Sequence, residues 1–321
     1  MDRAASILPP AVAQIRRTAV PVRREILRDE PARVGMTNIL PPPFLVLLGM
    51  LTTQLGAAVA TGLFASLGPM GTVFWRLVFA ALVLLAVTRP KIGRLRREDW
   101  SAVLVFGIAI GFMNLCFYQA LARLPLGVAV SIEFCGPLAV AALAARSWRE
   151  GLSAAIALFG LALLAPWQDI GKGLTGETVG FCFALGAALG WAGYVVLGAR
   201  ASRRVQGLEG LALAMLAGAL LSAPIALPEG LPALASPELL LVALGVALLS
   251  SVLPYGLEYA AMRHMTSRTF SLILCAEPAI AALIGLVFLG DSLGPVTWAG
   301  MLLVSAASLG AALARNERPH V

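Results

Sequence analysis

The chain has 321 residues, of which 59% are hydrophobic and 13% charged, with a formal net charge of +7. A soluble domain carries about 25% charged residues, so this composition excludes one and calls for an apolar solvent. The basic excess does not point to nucleic acid either, because the lysines and arginines are scattered through short loops without interleaved aromatics; membrane orientation explains them better.

Residues 1–42 hold seven arginines, two Pro-Pro pairs and no sustained apolar run. They are expected to form a basic, disordered cytoplasmic extension, with Met36 an alternative start. Apolar runs near the roughly 20 residues that a helix needs to cross hydrocarbon then recur to the end of the chain. The spacing predicts ten spans, at about 44–67, 69–88, 101–121, 126–145, 151–167, 178–198, 208–227, 238–261, 269–289 and 294–313. The fold class is therefore all-α and polytopic. The loops divide sharply, since 21 of the 24 Lys and Arg residues fall on the side shared by the N-terminal extension. Arg123 and Lys172 lie on the other side, and Arg76 lies inside the second span. By the positive-inside rule both termini are expected in the cytoplasm.

A repeat runs through the chain at an offset of 141 residues, which aligns Tyr118 with Tyr259, Ala120 with Ala261, Pro137 with Pro278, Ala141 with Ala282 and Glu150 with Asp291. Ten spans then divide into two repeats of five, over 43–167 and 178–314. Because five is odd, the second repeat enters the membrane from the opposite side, and the halves are inverted. Gly107 with Gly111 and Gly186 with Gly190 have the four-residue spacing of close helix contacts, and packing accounts for them without a site.

Charges deep in a span are costly and mark function by default. Arg76, Glu133 and Glu277 each lie about seven or eight residues into a span, roughly 10–12 Å below the surface at about 1.5 Å per residue. Two roles stay open for Arg76 and Glu133, a structural ion pair or direct contact with a zwitterionic substrate. Glu277 has no cation at its depth in the sequence, which favours a wet cavity or a bound proton. Glu258 is placed either to snorkel to the surface or to join the site. Pro137, Pro254 and Pro278 free backbone carbonyls within spans, which a neighbour or water must satisfy. Gln54, Trp75, Asn114, Tyr118, Trp191, Tyr194 and Tyr255 are candidates to line a cavity, with interhelical bonding or interfacial anchoring as the alternative.

Enzyme chemistry finds no footing. The two histidines and five aspartates lie outside the predicted spans, so no metal cluster, Ser/His pair or aspartyl dyad can be assembled there. The four cysteines lack ligand spacing and read as small buried thiols, and no nucleotide-binding GxxxxGK[ST] occurs. No cofactor is expected.

The run Leu253-Pro254-Tyr255-x-Leu257-Glu258, then Thr269-Phe270, Glu277-Pro278-Ala279 and Phe288-Leu289-Gly290, resembles the drug/metabolite transporter superfamily, and within it the EamA-type threonine and homoserine exporters. Glu133-Phe134-x-Gly136-Pro137-Leu138-Ala139-Val140 in the first half is similar to the same group. The resemblance covers about residues 42–315. It implies two EamA repeats in a bacterial inner membrane, with proton-coupled efflux of small neutral amino acids, and makes Glu133, Glu258 and Glu277 motif members. The partners expected are a small-molecule substrate, protons and the lipid bilayer. Export of other small metabolites or drugs, and passive conduction, remain the alternatives.

Overall fold

The computed structural model describes residues 40–143, 147–169, 174–205, 207–262, 264–265 and 267–314. Residues 1–39 of the expected basic extension, with Met36, lie outside the described residues, as do Arg146, Lys172, Arg263, Arg315 and Arg318, while Pro42 at its end already begins a helix. Among the described residues there are helices and no strands. Ten helical segments follow in order, nine of them long and apolar enough to cross a membrane. They are α1 (Pro42–Thr61), α2 (Phe64–Thr88), α3 (Arg97–Leu121), α4 (Leu126–Leu143), α5 (Trp148–Leu164), α6 (Gly176–Ser202), α7 (Gly207–Gly230), α8 (Pro237–Met262), α9 (Thr269–Leu289) and α10 (Pro295–Ala314). α5 is the shortest, at 17 residues.

Local chemistry sets the helix ends. The Ser147, Thr175 and Ser236 side chains accept from backbone N–H groups three residues on, at the starts of α5, α6 and α8, which satisfies donors that a helix start leaves free. Asp99 accepts from the Arg96 N–H at 2.9 Å, closing the first turn of α3. The break between the first two spans falls where the sequence places it. Gly62 and Leu63 keep helical backbone angles, and the non-helical residue is Gly68 (φ 61°), followed by Pro69.

The main helix pairs recur when each helix is exchanged with the one five places on. α2 packs on α7, α4 on α9 and α5 on α10, while α3 against α6 is matched by α8 against α1. Five crossings per half make this a pseudo-twofold with inverted halves. In lipid such contacts rest on close packing rather than on escape from water. Gly107 faces Ala214 and Gly218, and Gly190 faces Met113, so the glycine spacings serve helix contact. The loop after α6 meets the start of α3, where Arg204 bonds Glu98. The arginine-bearing loops thus share one end of the bundle.

The buried side chains are distributed unevenly along the helices. At the end away from the arginines, one continuous cluster joins both halves and includes Leu67, Tyr118, Leu126, Ile132, Ala282 and Ile284. At the arginine end the core divides into three. One is built on α2, α3, α6 and α7 around Leu77, Ile110 and Met215. A second joins α1 to α8 through Leu45, Met50 and Leu257, and a third includes Phe134, Leu138, Ala157 and Val304. The apolar core is thus continuous at one end of the bundle and divided at the other.

The continuous end is tight where α4 crosses α9. A Cβ on Gly127 would lie 2.7 Å from Ala282 Cα, nearer than side chains pack, and overpacking costs about 1–3 kcal/mol. Gly127→Leu should therefore lower the thermal midpoint of the purified protein by several degrees. Gly245→Leu, where nothing lies within 4 Å, is the control. Equal midpoints for the two variants would show that the α4–α9 seam is loose.

Candidate functional site

α2 carries Arg76 into the interior at 8% exposure. Its guanidinium donates three hydrogen bonds, from Nε to Ser251 Oγ at 3.1 Å, from Nη1 to the Tyr118 hydroxyl at 3.2 Å and from Nη2 to the Ser250 carbonyl at 3.0 Å. Its Cζ lies 5.3 Å from the centroid of the Tyr118 ring, within cation–π range. Every partner is neutral. Of the two roles the sequence left open for Arg76, the geometry departs from a direct pair with Glu133, since α8 and α3 occupy three donors of the fork.

The Ser250 carbonyl is available because of a proline. In an α-helix it would accept from the N–H four residues on, but Pro254 has none. The backbone there also widens into a π-helical turn, Leu248–Val252, a distortion common at functional sites. Pro254 is thus the signal that predicts the third ligand of Arg76. Ser250 and Ser251 are the site residues that the sequence reading missed.

α4 and α9 are both broken at mid-span. α4 consists of Leu126–Glu133 and Cys135–Leu143, and α9 divides between Leu274 and Glu277. Pro137 withholds an N–H from the Glu133 carbonyl, and Pro278 withholds one from Leu274. Glu133 ends the first piece of α4, and Glu277 begins the second piece of α9. Glu133 lies within electrostatic range of both Glu277 and Arg76. Gln54 of α1 donates from Nε2 to Glu277 Oε1 at 3.2 Å.

Glu258 joins this group. It interacts electrostatically with Glu277, and its Cγ would lie 3.5 Å from a Cβ on Gly49 of α1, so it packs inside the bundle. The Tyr194 and Tyr255 phenols interact with one another and with Glu258. Glu133, Tyr194, Tyr255, Glu258 and Glu277 are all partly exposed.

The remaining candidates are placed elsewhere. Asn114 is buried and bonds the Ile110 carbonyl of its own helix at 2.8 Å. Trp75 ties α2 to α7 by donating to the Gly230 carbonyl at 2.8 Å. Trp191 stands edge-on to Phe134 at 5.1 Å between ring centres, making it a wall beside Glu133. Among the described residues, no group of three His, Cys, Asp or Glu side chains is placed to hold a metal ion.

The arrangement sets one guanidinium in range of Glu133, which is itself in range of Glu277, as Glu277 is of Glu258, where lipid surrounds the bundle. Charge balance in such a place requires that protons or a cationic ligand accompany the carboxylates. A zwitterion supplies one charge for each kind of partner.

The sequence profile of the EamA-like transporter family matches residues 41–165 and 178–313, one copy for each five-helix half. The threonine/homoserine exporter RhtA of Salmonella typhimurium is 35% identical over 291 residues, covering 89% of this chain and 97% of that protein. The protein of the same name from Escherichia coli (strain K12) is 36% identical over 281 residues, 87% and 94% of the two chains. An uncharacterized transporter of Bacillus subtilis, YwfM, is 26% identical over 233 residues, 72% and 71% of the two chains. A solved crystal structure shares the fold at a TM-score of 0.53 with 19% identity, covering 85% of this chain and 99% of that one.

Proposed function

Because this chain belongs to the EamA-like transporter family, we propose that it exports small amino acids, of the threonine and homoserine kind, from the bacterial cytoplasm across the inner membrane. The observation that carries the reading is Arg76, a buried cation held by neutral groups beside a cluster of carboxylates. A guanidinium has five N–H donors, and three are engaged here. The rest suit a cargo carboxylate, for which the fork is the matching shape. Glu133 or Glu277 then faces the cargo ammonium.

The arginine-bearing end, with both termini, is assigned to the cytoplasm by its charge. On that assignment the divided end of the core faces inward, which supports reading it as a cleft open to the cytoplasm. Cargo enters from the cytoplasm, and its ammonium displaces a proton from a carboxylate. The seam between α4 and α9 then parts while the three inner clusters close. A proton from outside reloads the carboxylate after release, so cargo leaves as protons enter.

Proteoliposomes holding the purified chain and radiolabelled L-threonine test this. Export should accelerate when the compartment facing the cleft-free end is made more acidic, and it should proceed against a threonine gradient. Flux that only dissipates the threonine gradient identifies a channel instead, and transport of unrelated solutes without threonine moves the cargo to another class. Single cysteines at Arg94 and Arg203 should both be labelled from the cytoplasm and shielded from outside; labelling from opposite sides would overturn the topology.

A further inference from the structure

Gln54 is nearly inaccessible, at 2% exposure, and its two amide atoms differ in circumstance. Nε2 donates to Glu277 Oε1 at 3.2 Å, while Oε1 is buried with no hydrogen-bond partner. The orientation follows from Glu277, because an ionised carboxylate only accepts, and the amide must turn its N–H edge toward it. Its carbonyl is then left without a donor. Pro278, beside Glu277, has no N–H, and the N–H groups of α1 are spent in its own helix. Buried acceptors without a donor are uncommon and call for an explanation.

We propose that the Gln54 carbonyl and Glu277 together form the acceptor site for a primary ammonium group, making Gln54 a specificity residue for amine-bearing cargo. The inference rests on the reading of the cargo as a small amino acid. Glu277, with Glu133 in range, supplies attraction for positive charge of any shape. The neutral carbonyl responds to something narrower, a cation that brings its own N–H donors. A primary ammonium group has three and is compact, whereas a trimethylated nitrogen has the charge and none of the donors. The bond from Gln54 to Glu277 holds the two acceptors side by side across α1 and α9, which come from opposite halves. A bound ammonium group therefore touches both repeats.

The test is binding of radiolabelled L-threonine to the purified full-length protein in detergent, with unlabelled L-threonine and its N,N,N-trimethyl analogue as competitors. The native protein should favour threonine by at least tenfold. Gln54→Leu should lose about tenfold in threonine affinity and most of the discrimination, while Gln54→Glu, which keeps an acceptor in place, should retain the preference. A Gln54→Leu protein with native affinity and native discrimination overturns the assignment while leaving the transporter reading intact. Failure of the native protein to bind threonine overturns both, and is seen before any substitution is made.

Discussion

Replacing Arg76 by alanine should abolish threonine export and loosen the bundle, whereas Arg76→Lys should leave a folded protein with at least a hundredfold weaker binding. Alanine removes three hydrogen bonds from a charged donor, a class worth about 1.5–3 kcal/mol each. It also leaves the Ser250 carbonyl, the Ser251 hydroxyl and the Tyr118 phenol without their donor in the interior. A destabilisation of about 2–5 kcal/mol is expected, in the range of buried polar networks that lose one member. Lysine restores the charge as a point and cannot span Ser251, Tyr118 and Ser250 while presenting a flat pair of donors to a carboxylate. Thermal midpoints separate the two effects from threonine binding measured on the same samples. An Arg76→Ala protein that binds and exports threonine normally would remove the guanidinium from the site.

The second large effect concerns coupling. Glu133→Gln and Glu277→Gln keep the shape of each side chain but cannot release a proton. Each should reduce export driven by a pH gradient by at least tenfold. Exchange of threonine for threonine, which needs no net proton movement, should persist in at least one of them. In the native protein the sign is fixed by the proposed exchange of cargo for protons, so acidifying the outside speeds export and acidifying the cytoplasm slows it. Glu258 lies in range of Glu277, so its own Gln variant reports whether the proton passes through the cluster. If both Glu133→Gln and Glu277→Gln respond to the gradient like the native protein, the carboxylates play no part in coupling.

Much of this architecture was legible in the sequence because the bilayer imposes so few solutions. Apolar runs of membrane length become helices, since nothing else satisfies the backbone in hydrocarbon. The echo of Pro137 in Pro278 announced two matching units, and the broken helices α4 and α9 carry those prolines. The break between the first two spans was legible too, because Gly68 is free to take positive φ and Pro69 can begin a helix but not continue one. Side-chain partnership was the least accessible level. Depth alone matched Arg76 with Glu133, yet depth says nothing about which face a helix turns, and α8 presented its opened backbone to the guanidinium. Gln54 and Glu277 are 223 positions apart, and only the packing of α1 against α9 brings them together. Asn114 had suitable depth and polarity, but it is satisfied by its own helix.

The two broken helices are alike in backbone and unlike in where the acid sits. Glu133 stands four residues before Pro137, and Glu277 one residue before Pro278, so the carboxylates are offset by nearly a helical turn between copies. An entirely duplicated machine would have two end states of equal energy, related by half a turn about its axis. This stagger lifts that degeneracy, so the resting population and the affinities at the two faces are free to differ. Net direction still belongs to the gradients, but in the proposed cycle the two faces need not hold the cargo equally.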